Sequence, residues 1–270
     1  MAGVCVLWPG LSCGAGGLKG IGGNHGGALQ GVSYLLPHGF RKEAAGILIR
    51  GGRVKAGGLA GDKGTITVAP GINAFVLPAP STPGTGVASD GSLGKGKVSY
   101  NGGTYSIPAS VGTQVGGNLF ESFSLFNLLQ NEVADFEGPA GVQDIIARVT
   151  GGSASSINGT IESDINGANL FLINPAGVMF GPGASLNVSG AFTVSTADYV
   201  KLADGGRFNA SLVGNDMLTA AAVSAFGFAG AAPAPVSFSG SQLIVPEATG
   251  LNVIAGNVTL NSAELGASSG

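Results

Sequence analysis

The sequence predicts an all-β fold, and three observations carry this prediction. Apolar residues fill 44% of the 270 positions and charged residues only 10%, whereas about 25% charged is usual, so most side chains must face a long interior. Fifty glycines and 13 prolines provide many tight turns between short segments. Within those segments, apolar residues alternate with small or polar ones, which is the period of a β-strand with one buried face.

The predicted strands follow one another closely from residue 88 onward, each a few residues long and bounded by turn-forming residues. They are Lys97–Tyr100, Thr104–Ile107, Ile157–Ile161, Asn169–Ile173, Ser185–Val188, Phe192–Val194, Val236–Phe238, Gln242–Val245, Leu251–Ile254 and Asn257–Leu260. Each has one apolar face that it cannot bury alone, and stacking successive coils would bury all of these faces together. A flat sandwich would satisfy the same alternation, so the pattern by itself leaves both architectures open.

Two segments have a spacing that favours helix instead of strand. In Val142–Val149 the apolar residues Ile145, Ile146 and Val149 fall on one helical face, and we predict a helix there. Met217–Ala225 is the second helix candidate. The remaining predicted elements are strands.

Residues 1–87 differ from the rest of the chain. Gly-Gly pairs recur there without a steady apolar period, which is typical of an irregular segment. We interpret this segment as a presequence or as the product of a start codon assigned too far upstream. Pro78–Gly86 has the composition of a linker, and we therefore expect the folded domain to span residues 88–270.

Charge and residue chemistry exclude several function classes. Residues 88–270 contain thirteen Asp and Glu against five Lys and Arg, a balance that is unfavourable for nucleic-acid binding. No apolar run approaches the ~20 residues of a membrane-spanning helix. Both histidines, His25 and His38, lie in the N-terminal segment, and the acids are scattered. We therefore expect no catalytic residue, no metal and no cofactor.

Two blocks of sequence are specific enough to indicate a family. The first is Gly102-Gly-Thr-Tyr-Ser-Ile-Pro108 followed by Gly116-Gly-Asn-Leu-Phe120-Glu-Ser-Phe123-Ser-Leu-Phe126-Asn127. The second is Ala168-Asn-Leu-Phe-Leu-Ile-Asn-Pro-Ala-Gly177-Val-Met-Phe180-Gly181. Together they resemble the N-terminal domain shared by filamentous haemagglutinins and other two-partner secretion (TPS) exoproteins. The resemblance covers residues 88–270.

The resemblance implies a right-handed parallel β-helix with an N-terminal cap and small extra-helical elements. It also implies a secretion-targeting role in a surface or secreted adhesin of a Gram-negative bacterium. The implied partner is a TpsB-type outer-membrane β-barrel transporter, whose POTRA domains recognise the domain in the periplasm before the exoprotein crosses unfolded and folds outside. We expect this chain to be the N-terminal portion of a longer exoprotein, whose regions beyond residue 270 would contact a host or cell-surface ligand.

The second block supplies the candidate site. Asn174-Pro175-Ala-Gly177 takes the place of the family's commoner Asn-Pro-Asn-Gly, and these residue types favour a tight corner between two strands. The corner is either a fold-defining motif or also a transporter recognition surface, and its candidate residues are Asn169, Asn174, Pro175, Gly177, Phe180 and Gly181. The residues that we expect to cap the first coil are Phe120, Phe123, Phe126 and Asn127.

Two other functions fit an all-β chain of this kind. A carbohydrate-binding or carbohydrate-active β-helix would require a binding face or clustered carboxylates. A purely structural spike or matrix β-helix would require neither. Aligned carboxylates on one face would favour the carbohydrate-active function, and a neighbouring gene for a barrel transporter would favour the secretion role.

Overall fold

The computed structural model describes residues 85–230 and 232–267, together with five strand segments nearer the N-terminus. Among these residues the only helical element is one 3-10 turn, at Ala109–Val111, and no helix is long and apolar enough to cross a membrane. The strands are β1 (Ser12–Cys13), β2 (Ala28–Leu35), β3 (Arg41–Ile49), β4 (Gly52–Lys55), β5 (Thr65–Val68), β6 (Val87–Ser89), β7 (Ser99–Asn101), β8 (Thr104–Pro108), β9 (Thr113–Val115), β10 (Asn118–Phe126), β11 (Val133–Glu137), β12 (Asp144–Val149), β13 (Ser155–Ile157), β14 (Thr160–Ser163), β15 (Asn169–Ile173), β16 (Val178–Phe180), β17 (Ser185–Asn187), β18 (Phe192–Ser195), β19 (Tyr199–Leu202), β20 (Arg207–Asn209), β21 (Val223–Gly227), β22 (Pro235–Ser239), β23 (Gln242–Val245), β24 (Leu251–Ala255), β25 (Asn257–Asn261) and β26 (Glu264–Ala267).

From β8 onward the chain winds in coils whose strands form three parallel faces. Face 1 contains β10, β12, β15, β18 and β24, face 2 contains β8, β11, β14 and β17, and face 3 contains β13, β16, β22 and β25. Beyond β17, β23 pairs in parallel with β26. These parallel pairings exclude a sandwich. The predicted right-handed parallel β-helix, with about seven turns, is confirmed.

Equivalent residues of successive coils stack on one another inside the β-helix. On face 1, in-register pairing joins Leu119, Ile145, Leu170, Phe192 and Leu251, and none of these side chains is exposed. Burying an aliphatic or aromatic side chain of this size stabilises a fold by about 1.5–3 kcal/mol. Because each inner member of the ladder contacts the coils before and after it, the core is continuous along the helix.

Both predicted helices are wrong. Val142–Val149 contains β12, and Met217–Ala225 contains an isolated bridge and the start of β21. In β12, Ile145 and Val149 belong to the core inside the coils, whereas Ile146 packs in a second core on the outer side of face 1. Because both sides of this strand are buried, its apolar residues lose the alternation of a half-exposed strand and imitate a helical face.

Antiparallel strands cover the first coil. β6 and β9 pair with β10 on face 1, and β7 pairs with β8 on face 2. Backbone hydrogen bonds from Asp90 N to Ser122 O and from Gly96 N to Ser110 O fix the residues that link these strands. This cap pairs backbone groups that the first coil would otherwise leave bare.

A small antiparallel sheet leaves the β-helix between β18 and β22. It consists of β19, β20 and β21, and we call it the extra-helical sheet. Its apolar side packs on Phe120, Ile146 and Phe171, which point outward from face 1. The ring of Phe208 in β20 meets that of Phe120 edge to face, with 5.2 Å between centroids. The outer side of face 1 is therefore a second core.

Three strands of the N-terminal region pair with the last coil. β3, β5 and β4 lie antiparallel to β24, β25 and β26, respectively. Apart from the five strand segments, residues 1–84, with His25 and His38, lie outside the described residues. The predicted irregular segment 1–87 and the domain boundary at residue 88 therefore stay predictions.

Leu170→Ala tests whether the face 1 ladder holds the fold. Truncating this buried side chain should lower the free energy of unfolding of the purified chain by about 3 kcal/mol, because it leaves a cavity between coils. Chemical denaturation measures the change. Leu129→Ala is the control, since Leu129 is 55% exposed and its truncation should change stability by at most about 0.5 kcal/mol. Equal losses in the two variants would contradict the role of the ladder.

Candidate functional site

Asn174 holds the corner between β15 and β16 from the inside. Its exposed fraction is 0%, and its Nδ2 donates to Ser153 O and to Ser155 Oγ, both at 3.0 Å. Its Oδ1 accepts the Ala176 N–H at 2.9 Å, which closes an Asx turn. Its own N–H donates to Ser195 O at 2.9 Å. Asn174 therefore connects its coil to the coil before and the coil after.

The residues after Asn174 complete the turn. The Gly177 N–H donates to Asn174 O at 3.0 Å, and Gly177 has a φ of 112°, in the left-handed region that favours glycine. A Cβ atom at this position would also lie 3.1 Å from Pro235 O. Pro175 and Ala176 are half-buried. These two residues are the part of the turn that a partner can reach in the folded domain.

Asn169 makes a second set of contacts between coils. Its Nδ2 donates to Asp144 Oδ1 at 2.8 Å in the coil before, and its Oδ1 accepts the Ala191 N–H at 3.0 Å in the coil after. Asn169 and Asn174 thus bracket β15, and each bonds in both directions along the helix axis. Their side chains fix the register of this strand against its neighbours.

Phe180 and Gly181 lie at the other end of the motif. Phe180 belongs to the core, and its ring stacks on that of Phe238 with 5.0 Å between centroids. Gly181 packs so closely on Asn158 that a Cβ atom would lie 2.7 Å from Asn158 Oδ1. The structure therefore brings the six corner residues together along β15 and β16, with most of them in contacts between coils.

The four residues predicted to cap the first coil lie in β10 or directly after it. Phe123 and Phe126 belong to the inner core and meet edge to face, with 5.3 Å between centroids. Phe120 packs beneath the extra-helical sheet instead. Asn127 Oδ1 accepts the Ser156 N–H at 2.7 Å. These side chains are on or beside the strand with which β6 and β9 pair, and their capping role stays a prediction.

Residues 85–270 match the family model of the TPS secretion domain, a range that includes both the corner and the capped strand. The chain belongs to the TPS secretion domain family. The resemblance carried by the two sequence blocks is therefore confirmed. TPS domains are secretion-targeting domains of exoproteins that are secreted or surface-exposed in Gram-negative two-partner systems, and they imply a partner transporter in the outer membrane.

Two similar proteins come from Haemophilus influenzae. The heme/hemopexin-binding protein is 36% identical over 84 residues, which are 31% of this chain and 9% of that protein. The crystal structure of the HMW1 secretion domain is similar over 60% of this chain and 37% of that one, with 20% identity and a TM-score of 0.37. The matched part of this chain thus spans less than a tenth of the length of the heme/hemopexin-binding protein.

Glu121 of the TPS domain is a buried acid that sequence reasoning missed. It lies in β10 between the core residues Leu119 and Phe123, and its exposed fraction is 0%. Within residues 85–230 and 232–267, neither of its carboxylate oxygens has a hydrogen-bond partner. Burial raises the pKa of this carboxyl well above its ordinary value. An isolated Glu in an alternating segment carries no sequence signal that would have revealed this.

Face 2 of the TPS domain carries a cluster of four acids on its outer surface, Asp135, Glu137, Glu162 and Asp164. Asp135 and Glu162 are in-register neighbours on β11 and β14. Burial, followed by the charges of Asp164, Glu162 and Glu137, raises the pKa of Asp135 to about 6. In the described part of the chain, no group of His, Cys, Asp and Glu is arranged to hold a metal ion. Burial and the neighbouring acidic charges therefore both oppose ionisation of Asp135.

Glu121→Met should stabilise the TPS domain. The replacement fills a similar volume without a carboxylate, so the free energy of unfolding near pH 7 should rise by about 2 kcal/mol. The folded state of the wild type binds the proton more tightly than the unfolded chain, so wild-type stability falls as pH rises above the ordinary Glu pKa. The gain should therefore shrink towards pH ~4. Glu247→Met, at an exposed position, is the control, and an equal gain there would contradict the explanation.

Asp135→Asn should also stabilise the domain, and only at higher pH. With a folded-state pKa of about 6, Asp135 favours folding below its unfolded pKa of about 3.9, and this contribution is lost as pH rises through 6. Because the group is partly solvated, we expect a gain of about 1 kcal/mol near pH 7 and none near pH 4. Denaturation at both pH values measures it. A gain that is independent of pH would exclude the carboxylate charge as the cause.

Proposed function

We propose that this TPS domain delivers its exoprotein to a dedicated outer-membrane β-barrel transporter, whose POTRA domains bind it in the periplasm, and then nucleates β-helix folding outside the cell. The observation that carries the proposal is the family match over residues 85–270, which includes the whole described β-helix. The remainder of the exoprotein would supply any contact with a host or cell-surface ligand.

The cap and the coils support the nucleating role. β6, β7 and β9 cover the edges of the first coil, while β12 pairs in parallel register with β10 and provides an edge for β15. A chain that emerges with its N-terminus first can therefore add coils in sequence order, since each completed coil is the template for the next. The capped end prevents growth in the opposite direction.

Recognition by the transporter is proposed to involve residues 88–200, which contain both family blocks. In the folded domain, Pro175 and Ala176 are the reachable residues of the corner, whereas Asn174 and Phe180 are buried. An unfolded chain would present all of them. If the transporter binds the unfolded chain, substitutions at the buried positions will reduce export, and if it binds the folded domain, substitutions at the half-buried positions will do so.

The acid cluster of face 2 is the feature of this structure that a carbohydrate-active β-helix would require. Two of its members are already engaged within the sheet, because Glu137 accepts the Ser106 hydroxyl and Glu162 accepts the Asn187 amide. These contacts give the acids a role in joining coils. Together with the family match over residues 85–270, this role favours secretion targeting as the function of the domain.

Asn174→Ala tests recognition of the unfolded motif. The variant should lose about 2 kcal/mol of stability, because several buried hydrogen bonds of Asn174 disappear together. Leu170→Ala is the matched control, since Leu170 lies in β15, the strand that ends directly before Asn174, and the variant loses about 3 kcal/mol. Export is measured in cells carrying the partner transporter, and unfolding is measured on the purified chain.

We expect export of Asn174→Ala to fall below that of Leu170→Ala, although Leu170→Ala is the less stable of the two. Ala176→Glu, which changes the half-buried surface of the turn, should be exported normally. Wild-type export of Asn174→Ala would show that Asn174 is a corner residue only. Loss of export in Ala176→Glu alone would show that the transporter binds the folded corner.

A further inference from the structure

Arg148 of β12 has one of the largest fully buried side chains in the described part of the chain, with an exposed fraction of 2%. It lies on the outer side of face 1, and its guanidinium carbon is 4.4 Å from the centroid of the Phe208 ring in β20. A buried guanidinium destabilises a fold unless its charge and its N–H groups are met. Its partners therefore show what must be in place before this site is stable.

The partners of Arg148 come from three distant parts of the chain. Nε donates to Ser122 Oγ in β10 at 2.7 Å, and Nη2 donates to Ser92 Oγ in the cap at 3.2 Å. Nη1 donates to Asn209 O at 2.6 Å and to Asp216 Oδ2 at 2.7 Å. Asp216, in the loop between β20 and β21, is 21% exposed and supplies the negative charge.

Asp90 ties the cap to the same place. Its carboxylate accepts the hydroxyls of Ser122 and Thr150, and it accepts the Ser92 N–H at 2.9 Å. Burial would raise the pKa of Asp90, but hydrogen bonds from Ser122, Ser92 and Thr150 outweigh burial and hold that pKa below its ordinary value. Ser92 and Ser122 bond to both Asp90 and Arg148. Asp90 and Arg148 therefore both hold Ser92 and Ser122 in place.

We infer that the Arg148–Asp216 ion pair is a latch that couples the N-terminal cap to the extra-helical sheet, so that residues 86–92 become fully ordered only when residues 209–216 have docked. Asp216 follows Arg148 by 68 positions. The cap comes first in the described domain, yet it is completed late. Until Asp216 arrives, the guanidinium stays hydrated and cannot hold Ser92 and Ser122. The coupling is a property of the purified domain and does not rest on recognition by a transporter.

Hydrogen–deuterium exchange of the purified chain tests the latch with Asp216→Asn, which keeps the size of the side chain and removes its charge. Amide exchange in residues 86–92 should accelerate about tenfold, because a hydrogen bond to a charged group contributes about 1.5 kcal/mol or more and 1.4 kcal/mol corresponds to a factor of ten. Exchange in β15 and β18 should stay at the wild-type rate.

Asp204→Asn is the matched control. Its carboxylate accepts the Gly206 N–H at 3.0 Å and the Thr219 hydroxyl at 3.0 Å, within the extra-helical sheet and the segment that precedes β21. This variant should leave residues 86–92 at the wild-type exchange rate. Accelerated exchange there in Asp204→Asn, equal to that in Asp216→Asn, would show that any disturbance of the sheet loosens the cap and would overturn the specific latch.

Asp90→Asn provides the reciprocal arm, because a coupling free energy acts equally in both directions. It should accelerate exchange in residues 209–216, which Asp90 reaches through Ser92, Ser122 and Arg148. If Asp216→Asn loosens the whole domain, exchange of residues 209–216 in Asp90→Asn decides whether the cap and the extra-helical sheet are coupled. Wild-type exchange of residues 86–92 in Asp216→Asn, or of residues 209–216 in Asp90→Asn, would overturn the latch and leave two independent contacts.

Discussion

Backbone pairing between successive coils is the interaction on which the rest of this domain depends. Each coil has an edge of N–H and C=O groups on both sides, and these groups must be paired or hydrated. Inner coils meet this requirement through their neighbours. The first coil meets it through β6, β7 and β9, and the last described coil through β3, β4 and β5. Parallel register then places equivalent side chains on one another, and the continuous core follows from that register.

The buried polar side chains fall into two groups, those with hydrogen-bond partners and those without. Asn174 and Arg148 are surrounded by partners, and each joins segments that would otherwise have no fixed relation. Glu121 has the same degree of burial without a partner among the described residues. In a medium of low dielectric constant, a satisfied polar group specifies one arrangement, whereas an unsatisfied one subtracts from stability. The first two coils therefore contain both a specific tie, Arg148 in β12, and a destabilising buried acid, Glu121 in β10.

Much of the coil could be predicted from sequence, because its strands are short, alternate regularly and end at glycine. This pattern predicts strands at Leu170 and Phe192, and the residue type of Asn174 and its neighbours predict a corner. The same pattern wrongly predicts a helix at β12, because the extra-helical sheet covers the outer side of this strand and Ile146 is buried like Ile145. Alternation of apolar and polar residues marks a strand with one buried face, so it does not identify a strand that is buried on both faces.

Arg148 shows a second limit of sequence reasoning. Its value to the structure comes from Asp216, 68 positions away, and no local pattern connects the two. Glu121 is similar, since it is fully buried and lies beside Gly112, nine positions earlier, and no local pattern indicates this. Corner residues such as Asn174 act within a few positions along the chain, whereas these charged residues act between elements that only the folded topology brings together. The first kind of role can be inferred from residue types and spacing, and the second requires coordinates.

The excursion that forms the extra-helical sheet begins and ends at the same corner of the coil. Thr196 Oγ1 donates to Ala234 O at 2.7 Å, so the two ends of the excursion are one hydrogen bond apart. The whole excursion therefore replaces a single turn of the coil, and β18 and β22 remain in register on faces 1 and 3. A branch of this kind can lengthen or shorten over evolutionary time at little entropic cost, provided that its ends still meet. Secreted domains with this shape can thus diversify their outer surface at such branches while the period of their coils stays constant.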